Sequence, residues 1–111
     1  MGTFNLLMLQ NVACPNCRQF QNWTVQFKYG DCWLHKYGLF EELRWDGNDV
    51  GVRAAKIVLV EGICEEMCKH CANDEIYARI FIDNNKIVAA SLVVKNIIFP
   101  ISSDGNYMII N

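Results

Sequence analysis

Proline is scarce in this chain, with two residues in 111, and glycine is modest at seven. Together with 52% hydrophobic and 20% charged residues, that scarcity excludes a collagen-like repeat and a disordered chain. Long apolar runs are also missing: no stretch reaches the roughly 20 consecutive apolar residues of a membrane helix, so no membrane partner is expected. The stretch from Met1 to Gln10 has no basic leader, no extended apolar segment and no small-residue cleavage site. It is not read as a secretory signal, and a cytoplasmic, reducing location is expected. Positive charge is never concentrated. The ten Lys and Arg are scattered, and the formal charge is −2. Contacts to nucleic-acid phosphates draw on clustered basic residues, so that partner class has no electrostatic support here.

What remains is the composition of one ordinary domain, spanning residues 1–111 and long enough to bury roughly 65% of its unfolded surface. Cysteine is the exception, with six residues. Four of them form two pairs of the same spacing, Cys14-Pro15-Asn16-Cys17 and Cys68-Lys69-His70-Cys71. In a reducing compartment such pairs point to metal and not to disulfides. A CxxC turn places two sulfurs on one side, and two such turns complete the tetrahedron of thiolates that zinc takes in closed structural sites. Cys14, Cys17, Cys68 and Cys71 are therefore the expected ligands of one structural zinc. A closed site of this kind performs no chemistry, so no enzyme is expected. Zinc contributes two positive charges and four thiolates contribute four negative ones, which takes the formal charge from −2 to −4.

The run Cys14 to Cys17 resembles the CPxC knuckle of zinc ribbons and rubredoxins, over the knuckles and the strands beside them. The resemblance implies a zinc-ribbon-like pair of knuckles. In those families a glycine usually follows the second cysteine and takes positive φ; here Arg18 and Ala72 occupy those positions. As a whole, a small zinc-knuckle chain with an inserted Trp-rich segment is similar to small bacterial and phage proteins.

Other cysteine chemistries fit less well. Cys64-x3-Cys68-x2-Cys71 resembles the cluster motif of radical S-adenosylmethionine enzymes. Such enzymes need a partial barrel of strands and helices, and Cys14 and Cys17 would be unexplained. Thiol-disulfide exchange needs a cysteine at a helix amino terminus, whereas the segment after Cys17 reads as a strand. Cys32 and His35, with Cys64 and His70, have the residue types of a second zinc site. The plainer reading is two buried thiols and two solvent-facing histidines. Replacement of a knuckle cysteine by Cys64 as ligand is an alternative that spacing alone leaves open.

The periodicity is that of a mostly β protein, either all-β or α+β, with antiparallel hairpins. Trp23, Val25, Phe27 and Tyr29 alternate with polar residues, as in a half-buried strand. Ile57 to Val60 is continuously apolar and predicts a strand covered on both faces. Glu75 to Ile82 and Lys86 to Val94 flank Asp83-Asn84-Asn85 and predict a hairpin. Ile97 to Ile101 and Tyr107 to Ile110 predict another, with Pro100 marking an edge. Short helices are expected near Lys36 to Leu43 and Glu65 to Cys71, and an exposed loop over Trp45 to Gly51. A shift of 54 residues carries Cys14 to Cys68, Cys17 to Cys71, Trp23 to Tyr77 and Phe27 to Phe81, the pattern of a weak internal duplication.

With no catalytic constellation in view, the sequence points to a zinc-stabilised module that binds another protein. Its acidic residues, Glu41, Glu42, Asp46 and Asp49 among them, favour a basic partner. An inhibitor or immunity protein is the narrower form of this expectation. A nucleic-acid-associated zinc ribbon, with aromatics stacking on bases, is the alternative.

Overall fold

The computed structural model describes residues 4–45, 47–94 and 107–110. Among these residues nine strands follow in chain order: β1 (Asn5–Ala13), β2 (Phe20–Phe27), β3 (Gly30–Asp31), β4 (Lys36–Tyr37), β5 (Asp49–Val50), β6 (Ile57–Cys64), β7 (Ile76–Asp83), β8 (Lys86–Val94) and β9 (Tyr107–Ile109). Seven form one curled, mixed sheet in the order β4-β1-β2-β6-β7-β8, with β9 paired to β6 as well. β3 and β5 make a separate two-stranded ribbon. No α-helix occurs among the described residues.

Period-two patterning sets which face is inward. Trp23, Val25 and Phe27 of β2, Val58 and Val60 of β6, and Ile76, Ala78, Ile80 and Ile82 of β7 are all buried. Their neighbours in each strand point to the convex face. β6 departs from the sequence expectation here. Val58 and Val60 are buried, yet Ile57 is 38% exposed and Leu59 is half-buried, so the apolar run is covered on one face only. Its centrality lies within the sheet instead. β7 runs along one side of it, while the other side is shared between β2 at Gly62–Cys64 and β9 at Val58–Val60. Gly62 makes the first of those junctions fit, because a Cβ there would stand 2.4 Å from Val25 Cγ1 and 2.9 Å from the Gln26 carbonyl oxygen.

The β7–β8 hairpin forms as read, with Asp83 opposite Lys86 and both Asn84 and Asn85 at positive φ, as a two-residue primed turn demands. The helix expected over Lys36 to Leu43 is absent. Its first residues pair with β1 in parallel, the chain reverses at Leu39–Phe40, and Glu41 and Leu43 then hydrogen-bond to Ile87 and Asn85 of the β7–β8 hairpin. One short segment therefore ties the β1 edge of the sheet to its β8 edge and holds the curl. Its apolar spacing serves a strand and turn, with Tyr37 and Leu43 both facing the core. The second expected helix, Glu65 to Cys71, is a run of turns.

β1 carries no strand signal that the sequence reading singled out. The expected loop from Trp45 to Gly51 is partly tied down: β5 pairs with β3, and the Trp45 ring sits edge-on to Tyr29 at 5.4 Å. Tyr107 to Ile109 is a strand as expected, but it pairs with β6; Ile97 to Ile101 lies outside the described residues.

Candidate metal centre

The knuckles are the connections β1–β2 and β6–β7. Because β2 and β6 pair antiparallel, with Val25 opposite Cys64, both connections emerge side by side at one end of the sheet. The sulfurs of Cys14, Cys17, Cys68 and Cys71 all lie within 4.8 Å of one another. Cys17 Sγ is 3.5 Å from Cys68 Sγ, and Cys14 Sγ is 3.9 Å from Cys71 Sγ. Four sulfurs about 2.3 Å from a tetrahedral zinc stand about 3.8 Å apart, so the cluster has the donor set and dimensions of a metal site.

The two knuckles share one backbone design. The Cys14 amide donates to the Gln19 carbonyl and the Arg18 amide to the Cys14 carbonyl; the Cys68 amide donates to Asn73 and the Ala72 amide to Cys68. In each, the amide two residues after the first cysteine, Asn16 or His70, points at its sulfur at 3.4 Å. Arg18 at φ 70° and Ala72 at φ 59° adopt the left-handed conformation that glycine usually provides there. The missing glycines leave the turn intact, at the strain of two side chains in a sparsely populated region. The duplication holds for the knuckles and fails beyond them. Trp23 and Phe27 face the core, but Phe81 is 37% exposed and Tyr77 shares its face, so the aromatics at matching offsets lie on opposite sides of the sheet.

Cys14 and Cys68 are fully buried, and Cys17 and Cys71 are half-buried. The electrostatics are uneven. The Gln19 amide draws the Cys17 thiol down, but burial and the sulfurs of Cys68, Cys71 and Cys14 push it up, to about 12. For Cys68, burial pushes upward and the amides of Cys71 and His70, with the Cys17 thiol, outweigh it, to about 6. Cys71 is lowered, first by the Asn16 side-chain amide and then by the Asn73 backbone amide. Four sulfurs this close resist carrying four negative charges; a divalent cation among them removes that conflict.

Neighbouring side chains hold the second knuckle against β2. The Gln21 side chain accepts from the Lys69 amide at 2.9 Å and donates to the Met67 carbonyl at 3.3 Å. The Thr24 amide donates to Glu66 at 2.7 Å, and the Glu65 amide donates to the Thr24 carbonyl. Asn16 reaches across the gap, its side-chain amide 3.3 Å from Cys71 Sγ. Sequence reading missed Gln21 and Asn16. For Gln21 the signal was there, since it shares the inward parity of Trp23 and Val25.

Cys32, His35, Cys64 and His70 do not assemble. Among the described residues, the four knuckle cysteines are the only group of three or more metal-type ligands brought together. Cys32 is buried near Asn5 and the Gly30 carbonyl, and burial, with the Asp31 charge, pushes its thiol up. His35 bonds Asp31 at 2.9 Å. Cys64 packs beside the centre, where burial and the charges of Glu66 and Cys14 push its thiol up to about 12. The His70 side chain is exposed. Neither thiol has the lowered pKa of a nucleophile.

Comparison of the chain with protein-family models, with curated proteins and with solved structures finds no match in any of the three.

Proposed function

We propose that this chain is a non-enzymatic module, locked at one end of its sheet by a structural zinc on Cys14, Cys17, Cys68 and Cys71, that binds another protein through the segment inserted between the knuckles. The observation that carries the binding half is an apolar display on that segment. Trp33, Leu34, Leu39 and Phe40 are 55%, 53%, 39% and 67% exposed. Leu34 and Phe40 also sit at φ 58° and 72°, a conformation bulky residues rarely adopt and one that costs about 1 kcal/mol or more each. Aromatic side chains such as Trp33 and Phe40 are the type enriched among the anchors of protein interfaces. Glu41, Glu42 and Asp49 lie exposed in the same inserted segment and favour a basic partner, as an inhibitor or immunity protein would meet on a nucleic-acid-binding toxin. Thiolate ligation of zinc fits a reducing, cytoplasmic location.

The test compares proteins retained by the immobilised wild-type chain with those retained by a Trp33→Ser/Phe40→Ser double variant of equal zinc content. Loss of a specific basic partner in the variant supports the reading, and identical retention sinks it. A nucleic-acid role has one observation in its favour: Arg18, Lys69, His70 and Phe20 are exposed at or beside the knuckle tips. It requires oligonucleotide binding that weakens steeply with salt and loses slope in Arg18→Ala or Lys69→Ala.

A further inference from the structure

The two knuckles are built alike, but their solvent-side sulfurs are not equally covered. In each, the second cysteine is the half-exposed one, and each faces a fully buried sulfur across the gap: Cys17 opposite Cys68 at 3.5 Å, Cys71 opposite Cys14 at 3.9 Å. A backbone amide two residues on serves each exposed sulfur, Gln19 for Cys17 and Asn73 for Cys71. Cys71 alone has a further donor in the Asn16 side chain at 3.3 Å. The position matching Asn16 in the second knuckle is His70, whose backbone amide serves Cys68.

A hydrogen bond to a thiolate draws charge from the sulfur and lowers its reactivity toward electrophiles, and a side chain laid over it restricts approach. We propose that Cys17 is the peroxide-reactive sulfur of this centre and Cys68 its resolving partner, with Asn16 shielding Cys71. The inference rests on the zinc reading above.

Ligation to zinc would leave all four sulfurs as thiolates whatever burial does to the free thiols, and the Cys17 thiolate then attacks one oxygen of hydrogen peroxide, breaking the O–O bond and giving a sulfenic acid and hydroxide. The Cys68 thiolate then attacks the Cys17 sulfur, forming the disulfide and expelling a second hydroxide. Two protons from solvent complete two waters, and the two electrons lost by the sulfurs are those gained by the peroxide. Cys68 is too buried to meet peroxide itself, yet it needs to close only from 3.5 Å to about 2.05 Å. A zinc ion held by the four cysteines would be left with two sulfurs and would be released. The new bond joins the two knuckles, so the sheet end stays clamped while the metal is lost.

The experiment titrates the zinc-loaded full chain with hydrogen peroxide, follows released zinc with a chromogenic chelator, and maps disulfides by mass spectrometry after alkylation. The expected result is one zinc released per peroxide consumed, a first cross-link between Cys17 and Cys68, and Cys32 and Cys64 recovered as free thiols. Asn16→Ala, a change at an exposed side chain, should speed oxidation of Cys71 by about tenfold, so that Cys14–Cys71 appears alongside the first cross-link. A first disulfide within a knuckle, zinc retained through excess peroxide, or an unchanged order in Asn16→Ala overturns the proposal. Elemental analysis before peroxide separates the two readings: protein without zinc refutes the metal, whereas zinc-loaded protein that cross-links in another order refutes the sulfur asymmetry alone.

Discussion

Gly51 lies directly under the ring of Tyr29: a Cβ added to Gly51 would stand 2.0 Å from Tyr29 Cε1. The ring is fully buried, its hydroxyl donates to the Val52 carbonyl at 3.0 Å, and Trp45 and Tyr107 meet it edge-on at 5.4 and 5.3 Å. Tyr29 thus fastens the inserted segment and β9 to the end of β2, and Gly51 at φ 97° leaves room for it.

Gly51→Ala is accordingly expected to destabilise the protein by about 2–4 kcal/mol, from overpacking and from a left-handed backbone that alanine resists. Urea denaturation measures it. A change within about 0.5 kcal/mol would show that the segment re-packs freely around Tyr29.

If the four cysteines hold zinc as proposed, its removal should cost cooperative folding, since metal affinity in a closed site is folding energy. Cys17→Ser and Cys71→Ser are expected to lose both the metal and the sharp melting transition. Cys32→Ala and Cys64→Ala should keep the metal, because neither belongs to the group of four. Metal content and thermal melts check both halves. A metal-free variant that melts like the parent refutes the structural role.

Gln21→Ala removes two of the hydrogen bonds that hold the second knuckle to β2. The Lys69 amide and Met67 carbonyl must then find other partners, at a cost of about 1–3 kcal/mol. Zinc transfer to a competing chelator should be faster than in wild type. An unchanged transfer rate would mean that the Glu65 and Glu66 bonds to Thr24 hold the knuckle alone.

Acid should loosen the inserted segment through Asp31. Its carboxylate is held below the ordinary aspartate range, first by the His35 side chain, with burial opposing and the Asn48 amide assisting. A carboxylate whose folded pKa is depressed contributes stability that is fully present above the unfolded value and lost as pH falls through the folded one. Wild type should therefore lose more stability than Asp31→Asn between about pH 5 and the acid limit of folding. Parallel stability profiles for the two proteins would show that the pair contributes nothing.

The knuckles were legible because cysteine spacing is a local constraint: CxxC fixes where two sulfurs point before any fold is known. The β7–β8 hairpin was legible for the same reason, since Asn84 and Asn85 accept the positive φ its turn demands. The first short helix was misread because Tyr37, Phe40 and Leu43 have helical spacing, yet the backbone of that segment finds partners on β1 and on the β7–β8 hairpin. β6 was misread because an apolar run does not record how many of its faces are covered.

By itself, the sequence determined the predominance of strands and the four sulfurs in two CxxC pairs, all set by patterns within a few residues. Only the tertiary structure decided that β2 lies beside β6. That pairing carries the two knuckles to one end of the sheet, places Gln21 under the second knuckle and Asn16 across from Cys71, and parts Cys32 from Cys64. These are contacts between residues far apart in the chain, fixed by which strand edges meet, and no local pattern encodes which edges those will be.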